Sequence, residues 1–435
     1  MGLSIFIGTT NIASQLGDFK AGFEQLGHRV SIGVLQGDYA ATIQKQAYDY
    51  VFLPRLPFGL AKYRLLRKLW PRVLQKIQPF FLSARRIPEE IIAGHEVFIF
   101  IWSSFDIHFR DYARLVAAGK KVVVLFCGDD ARWHAGVNQE FRQIGLDPVP
   151  YQGKFLSLGS WKIHLLGYDF TYSGLQKRME AIRNAEKFAD LVFSKREQSQ
   201  LQLRPFFHYP MHVHPEGIPC RAIQRRENPV VVHAPSDQLV KGTAIVLQVF
   251  EQLKAAGVAF QPVLLSGVPN AEALALYKDA DIVIDQLILP GGGRLSTEAM
   301  AAGCVVLSRM EYSRYPQGID LADCPIVDVE PASLYDVLKN LIQDYPRRQQ
   351  LAERGRPYVE SHLSTQRLCQ KILAELEATD PSQPAYDYAP TFFRTSFLPQ
   401  SMRETTRLNR WTRYVAGCSW YSRFVPAGER AGLKF

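Results

Sequence analysis

Apolar residues along this chain fall into short runs separated by amphipathic stretches and polar loops. Leu3 to Gly8 is an apolar run that predicts a strand, followed by a polar loop from Thr9 to Leu16. Gly17 to Leu26 carries Phe19, Phe23 and Leu26 on one helical face, Gly27 closes it, and Arg29 to Leu35 reads as the next strand. That succession is a βαβ unit with a right-handed crossover. Val97 to Ile101 and Lys121 to Phe126 are two further buried-strand runs around a helical stretch, Asp106 to Ala118. Leu175 to Ala189 predicts a helix and Asp190 to Ser194 a strand. Pro205, Pro210, Pro215 and Pro219 then interrupt the chain as far as Arg226, the pattern of a linker.

The alternation resumes at Val230 to His233, a β-branched strand. Ala234 to Gln238 is a loop, and Lys241-Gly242-Thr243 opens a helix that runs to Leu253. Pro262 to Ser266 and Ile282 to Asp285 are strands around a helix over Ala271 to Tyr277, and Val305 to Leu307 is a last strand. Ser333 to Gln343, Arg347 to Glu360 and Ser364 to Glu377 are helical. Repeated β–α alternation predicts an α/β protein with two doubly wound parallel sheets. The expected organisation is a first Rossmann-like domain over 1–205, a linker over 206–228, and a second over 229–363. A helix over 364–378 and an extension over 380–435 follow.

At 435 residues the chain exceeds one ordinary core, and 47% apolar residues suit a globular protein. No apolar run reaches the roughly 20 residues of a membrane span. Met1 leads directly into a strand-like run without a signal segment, so a cytoplasmic location is expected. The six cysteines are scattered without metal-like spacing, which predicts reduced thiols, no disulfide framework and no metal. The net charge of +9 is concentrated. Residues 55 to 88 hold Arg55, Lys62, Arg64, Arg67, Lys68, Arg72, Lys76, Arg85 and Arg86 among leucines and aromatics, with no carboxylate before Glu89. This composition fits contact with an anionic membrane surface, or an ordinary solvated helix face over a core. The extension mixes arginines with Trp411, Tyr414, Trp420, Tyr421 and Phe424, and reads either as interfacial or as docked on its own domain. Nothing resembles a nucleic-acid module.

Candidate chemistry centres on Asp281 to Leu307, a strand, the glycines Gly291, Gly292 and Gly293, a helix start at Ser296-Thr297-Glu298, and another strand. Glycine allows close backbone approach, and a helix N-terminus offers free N–H groups to an anion. The stretch therefore suits a diphosphate, with Glu298 placed for hydroxyls; a plain βαβ packing turn is the other reading. Beyond the strand ending at Phe126, Asp129, Asp130 and Arg132 are candidates for acceptor contact or acid/base work, or else form a polar turn.

At His233 to Thr243 (HAPSDQLVKGT), Gly267 to Gln286 (GVPNAEALALYKDADIVIDQ) and Gly291 to Leu307 (GGGRLSTEAMAAGCVVL), the chain resembles glycosyltransferases of the GT-B fold, in particular family-4-like retaining enzymes that use nucleotide sugars. The resemblance implies two Rossmann-like domains facing a cleft, and a helix at 364–378 crossing back to the first. It places Lys241, with Gly242, on the donor diphosphate, where a cation stabilises leaving-group charge. Glu298 matches the second Glu of the family's Glu, seven residues, Glu motif and would hold ribose hydroxyls. Leu295, Ser296 and Thr297 would supply phosphate-binding amides, and Gly17 corresponds to the glycine under the diphosphate. Two positions depart from the pattern: the first Glu falls at Pro290, and an arginine five residues before the lysine falls at Ser236. The backbone of Gly291 to Gly293 is the candidate substitute.

The function these features imply is transfer of a sugar from a nucleotide-diphosphate donor to a glycan, lipid-linked or other acceptor. It would proceed without a metal or cofactor, at the inner face of a membrane. A GT-B-like protein that binds a nucleotide sugar or glycan without transfer, and a nucleotide-sugar epimerase, are the alternatives.

Overall fold

The computed structural model describes residues 2–35, 48–52, 86–102, 104–106, 110–128, 130–132, 137, 141–142, 145, 172–199, 201–235, 238–265, 270–312, 323–378 and 386–388. The basic segment from 53 to 85, and the extension apart from Tyr386 to Tyr388, lie outside the described residues. The chain divides into two compact units. The first comprises residues 1–140, 152–209 and 369–435; the second comprises residues 141–151 and 210–368.

The first unit is built on seven parallel strands in the order β3-β2-β1-β4-β5-β6-β7. They are β1 (Ser4–Thr9), β2 (Arg29–Leu35), β3 (Tyr50–Phe52), β4 (Val97–Ile101), β5 (Lys121–Leu125), β6 (Leu191–Ser194) and β7 (Phe207–His208). Among the described residues, four helices join them: α1 (Gln15–Gln25), α2 (Glu89–Gly94), α3 (Asp111–Ala117) and α4 (Tyr172–Phe188). Central strands of a parallel sheet are covered on both faces, which is why they read as unbroken apolar runs. Every residue of β1 and β4 is buried. One face packs Phe6 against Phe98, Phe100, Phe105 and Tyr112, with Phe52 edge-on to Phe105 at 4.7 Å.

This unit extends past the expected boundary at 205, and α4 holds the approach to it. Arg183 and Glu186 on α4 form a fully buried pair at 2.6 Å, and Glu186 also accepts the amides of Leu203 and Arg204. A buried pair depends on further bonds around it; these, with Arg183 donating to the Leu201 carbonyl at 2.6 Å, draw residues 201–204 against α4. The chain then adds β7 to β6, so the sheet ends at His208. Tyr386 to Tyr388 return to the same edge: Phe206 and Tyr388 exchange two backbone bonds of 3.0 Å, and the Tyr386 hydroxyl accepts from Arg204.

The second unit has five parallel strands in the order β12-β11-β10-β8-β9. They are β8 (Val230–His233), β9 (Gln261–Leu264), β10 (Ile282–Ile284), β11 (Val305–Ser308) and β12 (Val327–Asp328). The helices are α5 (Gln238–Lys241), α6 (Thr243–Ala255), α7 (Asn270–Tyr277), α8 (Arg294–Ala301), α9 (Leu334–Gln343), α10 (Tyr345–Tyr358) and α11 (Thr365–Glu377). Two apolar layers cover the sheet, one around Met300, Val306 and Tyr358, the other around Val231, Ile284 and Leu338. The division between the units falls inside α11, after Leu368.

Candidate functional site

In an open parallel sheet, ligands collect beyond the carboxyl ends of the strands where the strand order reverses. In the second unit that point lies between β8 and β10, the first and third strands of the sheet in chain order. β8 ends on His233, whose side chain is fully buried. Its Nδ1 lies 2.9 Å from the Ile284 carbonyl and its Nε2 3.0 Å from the Thr243 hydroxyl. Burial lowers its pKa, so it stays neutral: Nδ1–H donates to the carbonyl and Nε2 accepts from Thr243. The ring fastens the start of α6 to β10.

Between α5 and α6 the backbone turns at Gly242 with φ +73°, a left-handed conformation that a Cβ would oppose. This turn brings Lys241, the last residue of α5, beside β10. The Lys241 ammonium donates to Asp285 Oδ1 and, at 3.2 Å, to Gln286 Oε1. Asp285 is fully buried, and its Oδ2 accepts from the Gly293 amide at 2.7 Å and the Ser296 hydroxyl at 2.6 Å. Burial alone would push this carboxyl up. The Lys241 ammonium, the Ser296 hydroxyl and the Gly293 amide outweigh it and hold its pKa below the ordinary value.

The glycine loop follows. Gly291 donates its amide to the Arg309 carbonyl at 2.8 Å, and its carbonyl accepts from Ser308 Oγ at 3.1 Å. Gly293 has extended backbone, but a Cβ there would stand 2.8 Å from Asp285 Oδ2 and 2.9 Å from Lys241 Nζ. Glycine at 293 is therefore required by close approach. α8 starts directly after it, and the first amides of a helix have no partner within the helix. The Thr297 hydroxyl donates to the Met211 carbonyl at 2.7 Å, and the largely buried Glu298 accepts from Arg294 Nε at 2.7 Å. Pro290 is buried and offers neither carboxylate nor N–H.

Lys241, Gly242, Gly291 to Gly293 and Leu295 to Glu298 are thus brought to one end of one sheet, as the motif spacing implies. Asp285, Gln286 and Arg294 belong to the same cluster and were missed. Asp285 stands immediately past an apolar strand, the very position that singled out Asp129 and Asp130, so the signal was present. Ser236 and Asp129 lie outside the described residues. Asp130 accepts the amides of Cys127 at 3.0 Å and Gly128 at 2.6 Å, so its carboxylate closes the turn after β5. The Arg132 carbonyl accepts from the Arg178 guanidinium. Gly17 is the third residue of α1 and donates its amide to Ser14 at 3.1 Å. Among the described residues, no group of three or more His, Cys, Asp or Glu side chains is arranged to hold a metal ion.

Comparison with solved structures identifies the class of fold. Sucrose-phosphate synthase from Thermosynechococcus elongatus superposes over 86% of this chain and 97% of its own, at a TM-score of 0.50 and 11% identity. Anabaena HepE, solved with UDP and glucose, covers 86% and 99% at 0.47 and 15% identity. WaaG, a glycosyltransferase involved in lipopolysaccharide biosynthesis, covers 86% and 100% at 0.44 and 14% identity. No family model and no curated protein matches the sequence. The architecture is the GT-B glycosyltransferase fold, two doubly wound parallel sheets in one chain.

Proposed function

We propose that the protein is a glycosyltransferase of the family-4-like type that takes a sugar from a nucleotide diphosphate. The observation that carries this reading is the cluster at the carboxyl ends of β8 and β10. There Lys241, the glycine loop, the opening amides of α8 and Glu298 meet at the point where such sheets bind ligands. Breaking a sugar–phosphate bond leaves negative charge on the diphosphate, and a fixed ammonium beside the N-terminus of a helix stabilises it without reorganising. Glu298 is assigned to the ribose hydroxyls, which it can accept alongside its bond from Arg294. The family works without a metal or cofactor, and that expectation is carried over here. The acceptor, a glycan or lipid-linked molecule, is assigned to the first unit with Asp129, Asp130 and Arg132. The protein is placed in the cytoplasm, at the inner face of a membrane.

A second reading, binding of a nucleotide sugar without transfer, is favoured by Pro290, since the sugar loses an acceptor carboxylate there. A thermal-shift screen of UDP-, ADP- and GDP-sugars, followed by donor hydrolysis assays, separates the two. Transfer predicts stabilisation by at least one donor and measurable hydrolysis, with Lys241→Ala lowering the hydrolysis rate about 100-fold or more. Glu298→Ala should weaken donor affinity about tenfold, the value of a hydrogen bond to a charged group. Donor binding without turnover supports the second reading, and no shift with any donor defeats both.

A further inference from the structure

The donors expected to face a diphosphate converge in this structure on a carboxylate. Asp285 Oδ1 takes the Lys241 ammonium, and Oδ2 takes the Gly293 amide and the Ser296 hydroxyl. Asp285 is itself fully buried, and its backbone is fixed by the sheet, with its amide donating to Leu307 at 2.9 Å. A second, independent feature points the same way. The space beside this carboxylate admits no Cβ at 293, which would meet both Asp285 and Lys241 within 3 Å. The lysine, the acid and the glycine loop are built as one unit.

We propose that Asp285 is the positioning residue of the donor site, a buried carboxylate that fixes the Lys241 ammonium against the glycine loop before the nucleoside diphosphate arrives. The inference rests on the donor-site reading above. Lysine is a flexible four-carbon stem, and left free it would sample many rotamers. Tethered to Asp285, whose position the sheet dictates, the ammonium keeps one of its three protons on the acid and one on Gln286, and presents the third to the ligand. Gly293 and Ser296 then serve the carboxylate, and the amides of Leu295 and Ser296 are left for phosphate oxygens. Gln286, bonded to the same ammonium at 3.2 Å, completes the collar.

Electrostatics and positioning predict opposite outcomes when the acid is neutralised. A carboxylate that merely sits near the site repels a diphosphate, so Asp285→Asn would tighten binding. A carboxylate that positions the lysine gives weaker binding on the same substitution. The test is calorimetric titration of UDP, ADP and GDP into the full chain and into Asp285→Asn, Lys241→Ala and the double variant. The expected result is a loss of about tenfold in affinity for Asp285→Asn, with no further loss when it is added to Lys241→Ala, since the two act as one device. A purely structural acid would weaken the Lys241→Ala protein by the same factor again. Gly293→Ala, which keeps both charged groups but drives a methyl between them, should reproduce the loss if Asp285→Asn does not fold. Unchanged or tighter binding by Asp285→Asn, or additive losses, overturns the positioning role while leaving the donor site standing. A wild-type chain that binds none of the three nucleotides overturns both.

Discussion

At the scale of single residues, the structure separates charges that neighbouring groups hold ionised from one that its surroundings penalise. Asp285 belongs to the first kind. Its folded pKa lies below the ordinary value, so its pairing contributes stability above pH ~4 that is lost as the pH falls through the folded pKa. Asp111, at the start of α3, is the second kind: burial and the neighbouring Asp106 carboxylate raise its pKa to about 6. Here the folded protein binds the proton more tightly than the unfolded chain. The stabilising effect is complete below pH ~4 and is lost as the pH rises through 6. Asp111→Asn removes that dependence. It should raise stability by about 1–2 kcal/mol at pH 8 relative to its effect at pH 4.5, since each tenfold change in proton affinity is worth ~1.4 kcal/mol. Urea unfolding at the two pH values, followed through signals of the first unit, measures the difference. Equal effects at both would remove the penalty from Asp111. Lys241 and Glu298 were legible in the sequence because a motif carried them. Asp285 stood in a telling position past a strand, but its partner did not show, because the contact with Lys241 spans 44 residues and only the fold makes it; Arg294 acts through Glu298, one helical turn away.

At the scale of elements, the central strands and the edge strand β9 announced themselves, while the edge strands β3, β7 and β12 did not. β1, β4, β5 and β8 are apolar runs of four to six residues, long enough to state their own burial. β3, β7 and β12 hold two or three residues each, too few to show a period, and they exist because a neighbouring strand offers its open edge. β7 is the clearest case, since Pro205 and Pro210 flank it and a proline-rich stretch reads as linker. The turn at Lys241-Gly242 differed in another way: one helix from 241 was expected, and the structure has two, broken at Gly242. The left-handed backbone there is what turns Lys241 toward Asp285. Gly242→Ala adds a strained φ and a Cβ 3.1 Å from that of Leu287. It should cost about 1–2 kcal/mol in the second unit, read by denaturant unfolding. Nucleoside diphosphate affinity should fall with it, because the turn sets where the ammonium stands. A variant as stable as the parent would show that the turn relaxes around the methyl.

At the scale of the whole molecule, the alternation of strands and helices was enough to foresee two doubly wound units, because each parallel strand needs a crossover and each crossover leaves its period in the sequence. The extension was harder to place. Tyr386, Asp387 and Tyr388 look no different in sequence from the aromatic and charged residues around them. Yet they fasten the chain to β7, Asp387 accepting from the His208 amide and from Lys371, both at 2.6 Å. That anchor fixes the starting point of residues 389–435, where Arg403, Arg407, Arg410, Arg413, Arg423, Arg430 and Lys434 outnumber Glu404 and Glu429 and tryptophans and tyrosines alternate with them. No described helix is long and apolar enough to cross a membrane; the attachment that these charges would support is peripheral. Each Lys or Arg near an anionic surface contributes about 1 kcal/mol, a gain that salt screens within a Debye length of about 10 Å at 0.1 M. Deleting residues 389–435 keeps the Tyr386–Tyr388 anchor and removes most of this charge. Co-sedimentation with vesicles containing phosphatidylserine should therefore drop at least tenfold in partition coefficient for the truncated chain, and binding of the full chain should weaken between 0.05 and 0.3 M salt. Retention of full binding by the truncated chain would move the contact to the basic segment at 55–88, and absence of any preference for anionic lipid in the full chain would end the membrane reading.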